Sequence, residues 1–271
     1  MKSKMSQLKS KANLIRQDIL KISYNGNVGH IGSALSIVDI LTVLYFSIAK
    51  VYPQKPNHPD RDRIILSKGH SCAALYSILY RKGFFSKEFL YTYHKNNTQL
   101  AAHPEIHIPG IDAGTGSLGH GLSLAAGIAL AGKINKAKYR VFAALSDGEC
   151  DEGSTWEAAL VAAHHELNNL TAIIDYNKIQ AFGRTNNVTN LEPFKEKWQS
   201  FGWQTIEIDG HNHKQLQTAL SKKSTNKPTI IIANTILGKG ISFMEDDLEW
   251  HYWNLSDEQF EKALEELKKN L

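Results

Sequence analysis

The stretch that most constrains the fold runs from Ser146 to Ile179, SDGECDEGSTWEAALVAAHHELNNLTAIIDYNKI. It opens where the apolar run Tyr139–Leu145 gives way to Ser146-Asp147-Gly148-Glu149. A helical pattern follows, with Trp156, Ala159, Leu160, Ala163 and Leu167 on one face, and then a second apolar run, Leu170–Ile174, leading into Asp175-Tyr176-Asn177. Strand, helix, strand is the unit of a parallel sheet covered by helices. An acid just past one strand and an amide just past the next can meet at the carboxyl edge of such a sheet, where α/β folds bind ligands. Asp147 and Asn177 are hard oxygen donors of the kind Mg²⁺ or Ca²⁺ takes, so the expectation is a metal-held phosphate site.

The rest of the chain repeats the alternation. Leu8, Ala12, Ile15, Ile19 and Ile22 recur at helical spacing over 5–24, and Ser33 is positioned to cap a helix continuing to about Ile48. Short strands are expected at 63–66, 138–145, 170–174, 203–208 and 228–236, with helices at 71–82, 122–133, 191–201 and after His211. Ser256-Asp257-Glu258-Gln259 reads as a capping box for a last helix to about Lys269. The fold expected is therefore α/β, one doubly wound, mainly parallel sheet flanked by helices, with 1–271 as a single domain.

Composition removes several function classes. No apolar run reaches the ~18 residues of a membrane span, and Met1–Ser10 lacks the apolar centre of a signal peptide. A cytoplasmic protein without membrane contact is expected. The net charge of +4 is modest and the lysines form no stripe, which argues against nucleic acid. Cys72 and Cys150 make neither a disulfide framework nor a zinc pattern.

Four histidines stand where ligands would be met. His30 lies between Gly29 and Gly32 ahead of a helix, and His70 follows Gly69 at a strand-to-helix junction where a helix amino end would face an anion. His103 precedes Pro104, which holds it extended on a loop, and His251 sits in the aromatic segment Trp250–Trp253. His164 and His165 are adjacent on a helix, not the i, i+4 pair zinc needs, and read as structural. The segment Gly114–Gly121 contains G-x-G-x-x-G, but Ile108-Pro109-Gly110 before it is no strand, so a dinucleotide fingerprint is not expected. Its glycines still imply close backbone approach to a ligand.

Taken in order, Gly29-His30-Ile31-Gly32, Ser67-Lys68-Gly69-His70, His103-Pro104-Glu105, Gly114–Gly119, Asp147-Gly148-Glu149 through Glu152-Gly153 to Asn177, and Lys239–Glu245 with Trp250-His251 resemble the amino-terminal half of transketolases. The similarity is greatest to the small subunit of split, two-chain members. The resemblance implies that Asp147, Asn177 and the carbonyl of Ile179 bind Mg²⁺ or Ca²⁺ on the diphosphate of thiamine diphosphate. It implies that Gly148, His70 and the Gly116-Ser117-Leu118 backbone cradle the same group, with Glu149 beside it and His251 against it. His30, His70 and His103 would serve proton movement near the thiazolium and sugar hydroxyls, and Glu152 would lie at a dimer interface coupling active sites.

The activity implied is transfer of a two-carbon ketol unit from a ketose to an aldose. The Glu that activates the aminopyrimidine and the residues that grip a sugar phosphate belong to the family's second half, so a separate partner subunit is expected, in an α2β2 assembly. Tyr252-Trp253-Asn254 stands where many members carry Gly-Lys-Ala-Pro, which alters the rim of the substrate channel and points to an unusual ketose. Alternatives are a deoxyxylulose phosphate synthase-like enzyme and, from another class, a non-catalytic diphosphate-binding scaffold.

Overall fold

The computed structural model describes residues 4–269. Strands β1 (Arg63–Leu66), β2 (Val141–Ser146) and β3 (Leu170–Tyr176) come first, followed by a small antiparallel hairpin, β4 (Ile179–Gln180) and β5 (Gly183–Arg184). With β6 (Gln204–Asp209) and β7 (Thr229–Asn234), the first three build a five-stranded parallel sheet in the order β1-β2-β3-β7-β6. Its central strands are apolar at nearly every position because helices cover both faces. Successive side chains serve opposite layers: Phe142, Ala144, Ile231 and Ala233 join one core, and Val141, Ala143, Leu145, Ile230 and Ile232 the other.

The helices are α1 (Lys4–Gly26), α2 (Ile31–Ser36), α3 (Val38–Val43), α4 (Cys72–Lys82), α5 (Lys87–Leu90), α6 (Gly121–Ile134), α7 (Gly153–His164), α8 (Thr185–Val188), α9 (Phe194–Ser200), α10 (His213–Ser221) and α11 (Asp257–Lys269). Residues of α1, α3, α4, α10 and α11 fill the first core, and those of α6, α7 and α9 the second. The capping box at α11 forms as expected: Gln259 N donates to Ser256 Oγ (3.3 Å), and Ser256 N donates to Gln259 Oε1 (2.9 Å).

Three local expectations are corrected. Ser33 does not cap its helix; α2 starts earlier, at Ile31, with His30 in a left-handed conformation (φ 62°) and without a side-chain cap. The cause is packing: a Cβ on Gly29 would lie 2.1 Å from the Tyr252 carbonyl oxygen, so the chain passes under that residue and turns at His30. The helix expected to reach Ile48 breaks at Ile37 and ends in a π turn, Leu44–Ile48. The helix expected from Leu191 begins at Phe194, after Pro193, whose ring nitrogen has no proton to donate.

Register places the ends of β2 and β3 side by side. Ser146 is opposite Asp175, and Asp175 is opposite Ala233 of β7. Asp147 and Asn177 therefore leave the sheet at the same edge, 30 residues apart in sequence and adjacent in space.

Candidate active site

At that edge lies a cleft of about 410 Å³. Asp147, Gly148, Asn177 and Ile179 line one end, and His30, His70, His103 and His251 the other. Gly116 and Leu118 also face it, as does Glu152 beside Asp151. Ser117 does not line it; that residue faces a neighbouring groove with Pro104, Glu105 and His120.

The Asp147 carboxylate is buried, and N–H and O–H groups serve it. Oδ1 accepts from Gly148 N (2.9 Å), and Oδ2 accepts from Lys178 N (2.8 Å) and Thr185 Oγ1 (2.9 Å). Desolvation pushes its pKa up to about 7, against the hydrogen bond from Thr185 and the more distant charge of Lys68. Asn177 Oδ1 accepts from Ile179 N (3.0 Å), while its Nδ2 donates to Ser36 Oγ (3.4 Å). A desolvated carboxylate next to an amide oxygen and a chain carbonyl is a hard-oxygen set that suits a Mg²⁺- or Ca²⁺-like ion. Among the described residues no group of three or more His, Cys, Asp or Glu could hold an ion by itself, so an ion here would need further oxygens from a ligand.

The histidine end is a triangle of rings. Centroids are 5.2 Å apart for His30–His70, 5.5 Å for His30–His251 and 5.8 Å for His70–His251. Burial, with the neighbouring positive charge of Lys68, holds His70 well below the ordinary imidazole range. Burial also lowers His30, and it lowers His251 to about 4. All three rings are neutral at pH 7, so each offers one N–H and one lone pair. His70 Nε2 is bonded to Ser33 Oγ (2.9 Å), whereas Nδ1 of His30 and of His251 is buried without a partner among the described residues. Two glycines shape this end: a Cβ on Gly69 would be 2.8 Å from the Thr115 oxygen, and one on Gly116 3.0 Å from the His103 ring.

Glu149, expected next to the cofactor, is turned away from the cleft. Its carboxylate is fully buried, accepting from Ser67 Oγ, from Gly119 N (3.1 Å) and from Ser146 N (2.9 Å). It thereby ties the Gly-rich loop to the ends of β1 and β2, a positioning function. Burial raises its pKa. His164 and His165 sit at the exposed end of α7, away from the cleft.

Two buried clusters escaped the sequence reading. Lys68 Nζ, fully buried, lies 2.5 Å from Asp175 Oδ2 and 3.2 Å from the Ser33 carbonyl. Asp175 also accepts from Ser36 Oγ and Thr235 Oγ1, both at 2.5 Å. This pair joins α2, β3 and the segments after β1 and β7 behind the Asp147–Asn177 corner. The available signal was an acid ending an otherwise apolar strand. The second cluster centres on Asp39, bonded to Arg16 (2.6 Å), His211 Nδ1 (2.8 Å) and His213 Nε2 (2.7 Å). Arg16 Nε donates to the Lys239 carbonyl, and His211 Nε2 accepts from Ile236 N, so this hub fixes the start of the loop that carries His251.

The family described as transketolase, thiamine diphosphate binding domain, matches residues 8–270. Among curated proteins, the chain is 42% identical over 267 residues to an apulose-4-phosphate transketolase subunit of Phocaeicola vulgatus, covering 98% of this chain and 94% of that one. It is also 42% identical to a 6-deoxy-6-sulfo-D-fructose transketolase subunit of a Clostridium species, covering 99% of each. Among solved structures, transketolase from Campylobacter jejuni superposes with a TM-score of 0.91 at 30% identity, over 99% of this chain and 43% of that one. That from Leishmania mexicana gives 0.90 at 27% identity, over 99% and 42%. The chain thus spans less than half the length of the solved transketolases it matches. It belongs to the transketolase family, as a thiamine diphosphate-binding domain of the kind that makes up one whole subunit in its 42%-identical relatives. Among the described residues no helix is long and apolar enough to cross a membrane.

Proposed function

We propose that this chain is the cofactor-binding subunit of a two-subunit transketolase that moves a two-carbon ketol unit from a ketose to an aldose. The observation that carries the reading is one cleft with an Asp147–Asn177 oxygen corner at one end and, at the other, three neutral histidines whose rings are largely desolvated. Bound thiamine diphosphate supplies the nucleophilic carbon and electron sink that side chains lack. Asp147, Asn177 and the Ile179 carbonyl would hold Mg²⁺ or Ca²⁺ on its diphosphate, with Gly116, Leu118 and Gly148 close by. A divalent ion neutralises a diphosphate without a lysine-rich pocket, and the cleft lining contains neither Lys nor Arg.

His30, His70, His103 and His251 would orient sugar hydroxyls and pass protons. A neutral imidazole can give and take a proton without first losing one. Glu152 stands at the cleft's open side, where a second chain could approach it.

The relatives whose names make them subunits support a separate partner chain. Leu124 on α6, and Leu160 and Val161 on α7, are exposed apolar side chains on two helices in contact, and we propose assembly through these helices as two copies of each subunit. Two buried, unbridged cysteines suit a reducing cytoplasm. The two 42%-identical relatives named for unusual sugars favour a specialised ketose as donor.

Titration calorimetry of thiamine diphosphate with Mg²⁺, with and without the partner chain, tests the reading together with a ketol-transfer assay. Binding that needs the metal and is lost in Asp147→Ala, with turnover only when both chains are present, is the expected result. Turnover by the chain alone, or unchanged affinity in Asp147→Ala, would overturn it.

A further inference from the structure

The mouth of the cleft contains a side chain that neither the fold nor the cofactor corner requires. Tyr252 lines the cleft, with its ring centroid 5.0 Å from that of His30 and 4.8 Å from that of His251. It is 55% exposed, against 9% for His251, so it stands on the solvent side of the histidines. An aromatic ring this exposed contributes little to a core. Its hydroxyl has no hydrogen-bond partner among the described residues.

Its position is nevertheless fixed. Its carbonyl oxygen occupies the space where Gly29 lacks a Cβ, at 2.1 Å from that point. Two residues on, Asn254 Nδ2 donates to Asn27 Oδ1 (2.8 Å) and to the Asn27 carbonyl (3.3 Å). The backbone of 252–254, which carries the ring, is thereby held against 27–29. A rigid aromatic with a free hydroxyl, set outside the reacting groups, meets whatever part of a ligand points outward. On the ketol-transfer reading, a ketose whose carbonyl end meets the histidines would turn its distal carbons towards this ring.

We propose that Tyr252 is a specificity-determining residue of the donor site, limiting the length of the ketose beyond its reacting carbons and donating a hydrogen bond to its tail. The inference rests on the ketol-transfer reading. The ring sets a steric limit and the hydroxyl adds a polar contact, and the two effects are separable by substitution. A single methylene in a hydrophobic pocket changes selectivity by about 10- to 200-fold, and a half-exposed rim residue belongs at the low end of that range.

The test uses the enzyme reconstituted with its partner chain, comparing wild type, Tyr252→Phe and Tyr252→Gly. kcat/KM is measured for D-xylulose 5-phosphate and D-fructose 6-phosphate, donors that differ in chain length, and thiamine diphosphate affinity is measured alongside. Tyr252→Gly is expected to raise the six-carbon to five-carbon ratio about tenfold, with cofactor affinity retained. Tyr252→Phe is expected to keep the ratio and lower both constants. An equal change for both sugars in Tyr252→Gly, as loss of a contact between subunits would give, overturns the inference while leaving the functional reading intact. The same comparison is run with a branched and a sulfonated ketose, and transfer from none of these donors by a wild-type enzyme that binds its cofactor overturns the reading and the inference with it.

Discussion

Replacing Asp147 by Asn should make the ligand-free chain more stable at pH 8 while weakening the proposed metal corner. Asp147 has a folded-state pKa of about 7 against an ordinary value of 3.8. The folded state therefore holds a proton at a pH where the unfolded chain has released it. The associated stability is fully present below pH 3.8 and is lost as pH rises through about 7. At about 1.4 kcal/mol per unit, the ionised carboxylate costs the folded chain about 4 kcal/mol at pH 8.

An asparagine does not ionise and avoids this cost. It cannot accept all three bonds that the carboxylate takes from Gly148 N, Lys178 N and Thr185 Oγ1. One N–H would face the amide nitrogen, at a cost of about 1–3 kcal/mol. The net expectation is a gain of about 1–3 kcal/mol at pH 8 that vanishes by about pH 4. Urea unfolding followed by circular dichroism at both pH values measures it. Adding Mg²⁺ and thiamine diphosphate at about 100 times Kd should stabilise wild type by about 2.7 kcal/mol and the variant hardly at all, which reverses or levels the order. A variant destabilised equally at pH 8 and pH 4 would refute this, because the burial cost of Asp147 would then be absent.

His251 works in the opposite direction along the pH axis. Its folded-state pKa is about 4, so the unfolded chain protonates first, and about 3 kcal/mol of stability is lost as pH falls from 6.5 to 4. His251→Gln should unfold with a shallower pH dependence over that window, and an unchanged slope would contradict the assigned burial. Asp39→Ala leaves the buried Arg16 and His213 and the half-buried His211 without their shared acceptor. It should cost about 3–5 kcal/mol in urea unfolding, and a loss under about 1 kcal/mol would show that the cluster is dispensable.

The sequence made the elements legible wherever one local period dominates. The strands at β2, β3 and β7 are short apolar runs between helical patterns, and the terminal helix announces itself through Ser256 and Gln259. Boundaries failed where a distant contact outweighed the local signal. α2 starts at Ile31, not behind Ser33, because Gly29 lies against the Tyr252 carbonyl, more than two hundred residues away in sequence.

The same division runs through the site. Asp147 and Asn177 were readable as a pair because a strand–helix–strand unit brings consecutive strand ends to one edge, whatever the rest of the fold does. The direction in which a side chain points was not readable. Glu149 is as acidic in sequence as Asp147, yet only the packing of the Gly-rich loop over β1 turns it inward onto Ser67, Ser146 and Gly119. Lys68 with Asp175, Asp39 with its two histidines, and Tyr252 over His30 all join residues that no local period relates. The sequence by itself determined which elements form and which chemical groups stand at their ends, since those follow from backbone periodicity. Only the tertiary structure decided which of those groups are desolvated together, because burial depends on every chain segment that closes over them.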